Sequence, residues 1–136
     1  MSKPILMAAL CVVAPLVATL APAQAPRVSP GTACPAGTRF TTIRHNMIKP
    51  GQWAAFEQAV AAHNRWYATH KDKTATKLAR VIALGGGGPA LSTNEAVTVT
   101  VYSGAPQPAH DADWDAFTAK YRASSEVKDE ARICMP

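Results

Sequence analysis

Two cysteines, Cys34 and Cys134, bracket nearly all of the chain that follows an expected export signal. A third cysteine, Cys11, lies inside that signal and leaves with it. An even number of cysteines in a small exported domain is typical of a disulfide, so the sequence predicts one bridge between Cys34 and Cys134. Such a bridge holds the two ends of the domain together, which limits the folds that the chain can adopt.

The expected signal occupies residues 1–25. It begins with Lys3, continues as an apolar run and ends in small residues, and this layout of a secretory signal predicts cleavage after Ala23 or Ala25. The apolar run is too short and too rich in alanine and proline for a membrane-spanning helix. The sequence therefore predicts a periplasmic or secreted protein, with no membrane attachment after cleavage. An extended lead-in is expected over residues 26–37 and one domain over 38–136.

The formal net charge of the chain is +5 at pH 7. Its cations are scattered, with no basic run and no strip of interleaved basic and aromatic residues, so nucleic acid is not an expected partner. The excess charge predicts a weak preference for anionic ligands.

The hydrophobic pattern predicts four strands and two helices. In chain order, their ranges are 38–48, 52–70, 77–84, 95–103, 111–124 and 131–135, and the second helix begins at either Asp111 or Asp113. Residues 85–94 contain four glycines in a row and are predicted to be a long flexible loop. Residues 125–130 are predicted to extend the second helix by a further turn.

The predicted order is strand, helix, strand, strand, helix, strand. This is the split βαβ plan of a ferredoxin-like α+β domain, with a four-stranded antiparallel sheet and two helices on one face. In this plan the fourth strand runs antiparallel beside the first, so the end of one lies next to the beginning of the other. Cys134 and Cys34 fall at these two points, and the expected fold and the expected disulfide support each other.

The segment from Ile48 to Glu57, with the sequence IKPGQWAAFE, resembles the end of the first strand and the start of the first helix in the dimeric α+β barrel superfamily. That superfamily includes antibiotic-biosynthesis-type monooxygenases and NIPSNAP-like proteins. The resemblance extends to a second helix that opens with Trp114 and Phe117. It implies a homodimer in which two sheets face one another. Members include cofactor-free oxygenases, haem-degrading enzymes, isomerases and cyclases without a shared catalytic signature, so no catalytic residue transfers.

His63, Tyr67 and His70 lie on one side of the first predicted helix, near its end. A neutral imidazole transfers protons near pH 7, and a phenol donates a hydrogen bond to a developing oxyanion. His63 and Tyr67 are therefore candidate catalytic residues, and His70 is a candidate ligand-binding residue. The alternative is that the first two pack in the core and that His70 interacts with the negative end of the helix.

Thr98, Thr100 and Tyr102 alternate with valines on the third predicted strand. We expect the valines to pack under the helices and the hydroxyl-bearing residues to lie on the open side of the sheet. There they form a solvated surface or, in a face-to-face dimer, line an enclosed cavity. Either Arg44 or His45 must share their side, because neighbours on a strand point to opposite faces. The cost of burying a cation favours Arg44 there, with His45 under the helices or near a strand end.

Asp111, Asp113 and Asp115 have the spacing of the first ligands in an EF-hand loop. However, Ala116 stands where that loop needs glycine and Arg122 where it needs glutamate, so the acids are predicted to cap the second helix. The glycine run lacks the lysine and hydroxyl of a phosphate-binding loop, and no Cys-x-x-Cys-His motif for covalent haem is present. No third ligand has zinc-site spacing. Neither a metal nor a cofactor is predicted.

The expected function is to bind a small phenolic or anionic molecule within an exported homodimer. As an enzyme, the protein would be a cofactor-independent oxygenase, isomerase or cyclase, with a histidine as base and a tyrosine as oxyanion donor. The alternative is a non-catalytic binding or accessory protein with the same fold. The candidate residues are, for catalysis, His45, His63, Tyr67 and Tyr102 and, for ligand binding, Arg44, Thr98, Thr100 and His70.

Overall fold

The structure is a computed structural model that describes residues 34–136. The expected signal at residues 1–25 and most of the expected lead-in lie outside the described residues. In the described part, the elements are β1 (Arg39–Ile48), α1 (Trp53–Thr69), β2 (Ala75–Gly85), β3 (Gly88–Val101), α2 (Ala112–Ser124) and β4 (Ser125–Met135). No helix within residues 34–136 is long and apolar enough to cross a membrane.

The four strands form one antiparallel sheet in the order β2-β3-β1-β4. β1 therefore lies inside the sheet, between β3 and β4. Both helices pack against one face, where Phe56 of α1 and Tyr121 of α2 meet Ala96 of β3. The predicted ferredoxin-like α+β fold is confirmed, including the pairing of the first and fourth strands.

The two helices begin where the sequence supplies a start signal. α1 follows Pro50 and Gly51, and Gly51 has a φ of +72°, a conformation that favours glycine. The N-cap of α2 is Asp111, whose carboxylate accepts a hydrogen bond from the backbone N–H of Trp114 at 2.9 Å. The buried residues of α1 recur at helical spacing and form one inward face: Phe56, Ala59, Val60, His63, Trp66 and Tyr67.

Cys34 and Cys134 form the predicted disulfide, with an S–S distance of 2.06 Å and a Cα–Cα distance of 5.6 Å. Cys134 pairs with Phe40 in the sheet, so the bridge ties the residues before β1 to the end of β4. Closing a loop of about 100 residues stabilises a domain by up to about 4.7 kcal/mol in the chain-entropy model. The bridge thus contributes substantially to the stability of this small domain.

A tight hairpin joins β2 to β3. The prediction of a long flexible loop over residues 85–94 is therefore wrong. Gly85 pairs with Gly88, so the turn consists of Gly86 and Gly87. Gly88 has a φ of +97°. Glycine adopts positive φ at no steric cost, which lets the chain reverse within two residues. A glycine run is compatible with a tight turn as well as with a flexible connection, and the sequence pattern did not distinguish them.

β4 pairs with β1 at both of its ends, with one register shift where Lys128 is left out of the ladder between His45 and Asn46. The helical turn predicted for residues 125–130 is therefore wrong. The pairing runs from Met135 opposite Arg39 to Ser125 opposite Ile48. Because β4 carries many charged side chains, its sequence pattern did not predict a strand over this whole range. These side chains are tolerated because β4 is an edge strand that faces water along one side.

The sheet buries the face opposite to the one predicted. Thr98 and Thr100 are 5% and 2% exposed, whereas Val97, Val99 and Val101 are only half-buried. We call the side that carries the two threonines the helix-side face and the side that carries the three valines the open face. Alternation along a strand separates two faces, but it does not say which of them the helices cover.

Hydrogen bonds explain why hydroxyl groups are stable under the helices. The hydroxyls of Thr76 and Thr100 lie 2.9 Å apart, and Asn46 Nδ2 donates to Thr98 Oγ1 at 3.1 Å. Asn64 of α1 accepts from the backbone N–H of Thr76 at 2.7 Å and donates to its carbonyl at 2.8 Å. Buried polar groups with such partners cost little stability. Asn64 and His63 of α1 therefore supply polar partners to the hydroxyl-bearing face of the sheet.

Candidate functional site

Arg44 lies on the helix-side face, because it pairs directly with Thr98. The predicted placement of Arg44 with Thr98 and Thr100 is confirmed, but their face lies under the helices rather than open. His45 lies on the open face, three residues before the end of β1, so of its two predicted positions the one under the helices is wrong. Arg44 avoids the burial cost because its side chain stays 35% exposed and forms an ion pair with Glu130.

His63 of α1 is buried between the helices and the sheet, with 7% of its surface exposed. Its Nδ1 atom lies 3.3 Å from Thr76 Oγ1 and 3.4 Å from the Tyr121 hydroxyl. Its ring stacks on Phe117 with the ring centroids 4.6 Å apart. The other ring nitrogen, Nε2, is buried and has no hydrogen-bond partner among residues 34–136. Buried polar atoms are seldom left without a partner, so Nε2 is the atom of this cluster that most needs one.

His63 is neutral at pH 7. Burial, with a smaller contribution from the Arg44 cation, lowers the pKa of His63 from 6.5 to about 4. When Nδ1 carries the proton, Nε2 accepts a hydrogen bond; when Tyr121 donates to Nδ1, Nε2 is the donor. In either tautomer Nε2 can form a hydrogen bond with a bound molecule.

The three tyrosines of the chain lie on the same side of the sheet as His63. Tyr67 accepts a hydrogen bond from Gln107 Nε2 at 3.2 Å, and burial, followed by the nearby Tyr102, raises the pKa of Tyr67 to about 12. Burial also raises the pKa of Tyr121. Both phenols keep their protons at neutral pH and can donate hydrogen bonds. Tyr102 packs against Phe40, with the ring centroids 5.3 Å apart.

The guanidinium group of Arg44 lies at the water-facing end of this cluster. Its Nε donates to Glu130 Oε2 at 2.6 Å, and the Nε of Arg132 donates to Glu130 Oε1 at 2.8 Å. Burial alone would raise the pKa of Glu130, but the hydrogen bonds and charges of the two arginines outweigh it and lower that pKa. The glutamate is therefore ionised, and Arg44 brings a positive charge close enough to lower the pKa of His63.

His70 does not join His63 and Tyr67. It caps the end of α1, where its Nδ1 lies 2.8 Å from the Trp66 carbonyl oxygen and its Nε2 lies 3.2 Å from Asp111 Oδ2. Hydrogen bonds, first from a backbone N–H of α2 and then from the Trp66 indole, lower the pKa of Asp111. These contacts connect the end of α1 to the beginning of α2, which supports the structural alternative for His70.

His45 belongs to a different cluster on the open face. Its Nε2 lies 3.4 Å from Glu95 Oε1 but, like that of His63, is buried and forms no hydrogen bond within residues 34–136. Its Nδ1 lies 3.4 Å from Asp129 Oδ2. The sheet separates this cluster from His63. The two candidate bases therefore do not share a site, and the arginine and the tyrosines lie with His63.

Three residues of the site were missed in the sequence. Thr76 lies one position before the predicted second strand, and Glu130 fell in the segment predicted as a helical turn. Tyr121 has helical spacing with Trp114 and Phe117, so its inward position was predictable from the sequence. Its place beside His63 was not, because that depends on how the two helices pack.

A shallow groove of about 190 Å³ lies between α1 and α2, and it contains none of the candidate residues. Its charged residues, Arg65, Asp113 and Lys120, have mixed signs and favour no particular ligand. In the part of the chain from 34 to 136, no group of three or more His, Cys, Asp or Glu side chains could hold a metal ion.

Comparisons with models of protein families, with curated proteins and with solved structures gave no match. The resemblance to the dimeric α+β barrel superfamily therefore depends on the sequence pattern and is compatible with the ferredoxin-like fold. Function must be inferred from the site itself.

Proposed function

We propose that this protein is an exported small-molecule-binding protein that takes a phenolic or anionic compound between its helices and the helix-side face of its sheet. The observation that carries the proposal is the buried Nε2 atom of His63, which has no partner among the described residues. A buried polar atom without a partner costs stability, and a hydrogen bond to a bound molecule removes that cost. Arg44 and the tyrosine hydroxyls supply the further donors that an anionic or phenolic oxygen needs.

The same residues support an enzyme of the cofactor-independent oxygenase, isomerase or cyclase type. His63 exchanges a proton with the substrate through Nε2, and Arg44 stabilises the anion that the proton leaves behind. The neutral imidazole is the form that accepts a proton. An anion beside Arg44 offsets the positive potential that lowers the pKa of His63, so ionisation of the substrate and protonation of His63 favour one another.

A non-catalytic binding protein is the second candidate. It is favoured by the internal partners of the other polar groups, since Gln107 donates to the Tyr67 hydroxyl and the hydroxyls of Thr76 and Thr100 bond to each other. In this case His63 only orients the ligand. Product formation from a bound phenol in wild type, absent in the His63→Phe variant, distinguishes an enzyme from a binding protein.

We propose a homodimer formed through the open face. The predicted dimer through the hydroxyl-bearing face is wrong, because the helices cover that face. The open face instead presents apolar side chains, and a second copy offers a matching apolar surface around a two-fold axis. Its half-buried or exposed apolar residues include Ile43, Val97, Val99, Val101 and Ile133.

Export to the periplasm or the medium is supported by the disulfide, since such bridges persist in oxidising compartments. The test is the intact mass of the protein recovered from the periplasm or medium of an expressing bacterium. A chain that begins at residue 24 or 26 is expected. Recovery of the full-length chain from the cytoplasm alone would contradict export.

Calorimetric titration with 4-hydroxybenzamide, a neutral phenol, tests the binding site. We expect His63→Phe to weaken binding by about tenfold, because it preserves the stacking on Phe117 but removes the Nε2 hydrogen bond. His110→Phe, at an exposed histidine outside the site, is the matched control and is expected to bind like wild type. Equal affinities for wild type and His63→Phe would reject the proposed role of His63.

A further inference from the structure

One carboxylate holds two arginines on the helix-side face. Glu130 Oε2 accepts from Arg44 Nε at 2.6 Å, while Oε1 accepts from Arg132 Nε at 2.8 Å. In the sheet, Glu130 pairs with Arg44, and Arg132 pairs with the buried Thr42. All three charged side chains therefore project from the same face, and the two guanidinium groups are separated by the width of a single carboxylate.

Both arginines reach the glutamate through Nε alone. Within residues 34–136 their Nη atoms form no hydrogen bond, so each guanidinium keeps donors for another group. The side chains of Arg44 and Arg132 are 35% and 68% exposed. A ligand group can thus reach these donors from the water-facing side of the site.

The net charge of Arg44, Arg132 and Glu130 together indicates the charge of the ligand that fits beside them. Two guanidinium cations and one carboxylate leave one net positive charge, which a single monoanion balances. A carboxylate suits this position, because its two oxygens accept paired hydrogen bonds from guanidinium groups. The cluster on the same side of the sheet is aromatic, since the ring centroid of His63 lies 5.1 Å from that of Tyr67 and 5.9 Å from that of Tyr121. Such rings favour a flat apolar ligand body.

We propose that Arg44 and Arg132, joined by Glu130, form the anion-binding end of the site, and that its ligand is an aromatic monocarboxylate. This inference rests on the proposed function, since it identifies the ligand class for the same site. The carboxylate binds at the exposed arginine pair, and the ring extends towards Nε2 of His63.

The test compares 4-hydroxybenzoate with 4-hydroxybenzamide, which has nearly the same shape but no charge, by calorimetry at fixed low salt. We expect wild type to bind the acid about tenfold more tightly than the amide. Arg132→Gln should weaken binding of the acid by about tenfold and leave binding of the amide unchanged. Arg122→Gln is the matched control: it removes the same charge from an exposed arginine of α2 that has no ion pair within the described chain, and it should leave both affinities unchanged.

Each other outcome overturns a defined part of the proposal. If wild type and Arg132→Gln bind the acid equally well, Arg132 is not part of the site and this inference fails. The proposed function still holds in that case, provided that binding of the amide depends on His63. Tighter binding of inorganic phosphate than of 4-hydroxybenzoate would replace the aromatic monocarboxylate with a phosphate ligand. If neither the acid nor the amide binds, both the proposed function and this inference fail.

Discussion

The Nδ1 atom of His63 lies 3.3 Å from the hydroxyl of Thr76, so a side chain of α1 and a side chain of β2 meet directly. The same hydroxyl lies 2.9 Å from that of Thr100 in the neighbouring strand. A line of polar contacts therefore runs from the helix into the middle of the sheet. It makes the threonine-bearing face the inner one and leaves the valine-bearing face uncovered by the helices.

Lysine substitutions at adjacent positions of β3 distinguish the two faces. Thr100→Lys places a cation under the helices and should destabilise the domain by more than about 3 kcal/mol or prevent folding. Val99→Lys places the same cation on the open face and should leave a folded protein that no longer dimerises. Circular dichroism reports folding, and light scattering at tens of micromolar reports association. A wild-type monomer would reject the dimer, and a stable Thr100→Lys variant would reject the face assignment.

The element order, the strand pairing and the disulfide were all predictable, because they follow from hydrophobic period and cysteine position. The buried face was not. Val97, Val99 and Val101 suggest a core by composition, whereas the burial of Thr98 and Thr100 and the contacts of Asn64 and His63 with Thr76 show that the opposite face is inside. Side-chain partners across the sequence decide such a choice, and local pattern does not contain them.

Several residues of the site were predictable from the sequence, but which of them lie together was not. His63, Tyr67 and Arg44 were recognised from their residue types and spacing. Glu130 was hidden in an edge strand whose charges resemble those of a solvated helix. His45 was placed on the wrong side, because Arg44 escapes the burial cost at the open edge of the site through its ion pair with Glu130.

Acid should destabilise the wild-type protein through His63. Its pKa is about 4 in the folded protein and 6.5 in its ordinary state, so the unfolded chain binds a proton between these values and the folded protein does not. The stabilising contribution is complete above about pH 6.5 and is lost as the pH falls to about 4, a change of about 3 kcal/mol. Urea unfolding at a series of pH values should show this loss in wild type and not in His63→Phe. Parallel curves for the two proteins would show that His63 is not buried in its neutral form.

Removal of the Arg44 charge should raise the pKa of His63. The cation disfavours a protonated imidazole, and Arg44→Gln relieves this effect while burial, the larger cause, remains. We therefore expect the pKa of His63 to rise and still to stay below 6.5, measured from the imidazole resonances during an NMR pH titration. Arg122→Gln serves as the control for total charge. An unchanged pKa in Arg44→Gln would place the guanidinium too far away to act on a ligand at His63.

Loss of the disulfide should lower stability without altering the fold. Replacing both Cys34 and Cys134 by alanine opens the loop that spans the domain, and the expected cost is about 2–4 kcal/mol. Urea unfolding of the variant and of oxidised wild type measures the difference. Alkylation of both cysteines in wild type without a reductant would contradict the bridge itself.

The histidine side chains provide the most direct test of the proposed site, because the chain has four of them and His63 is the one that lies beside Thr76 and Tyr121, between the helices and the sheet. The measurement is an NMR titration of histidine-labelled protein with 4-hydroxybenzoate. We predict that the imidazole signals of His63 shift in a saturable manner, while those of His45, His70 and His110 change little. Unmoved His63 signals, or shifts confined to the other three histidines, would contradict binding between the helices and the sheet.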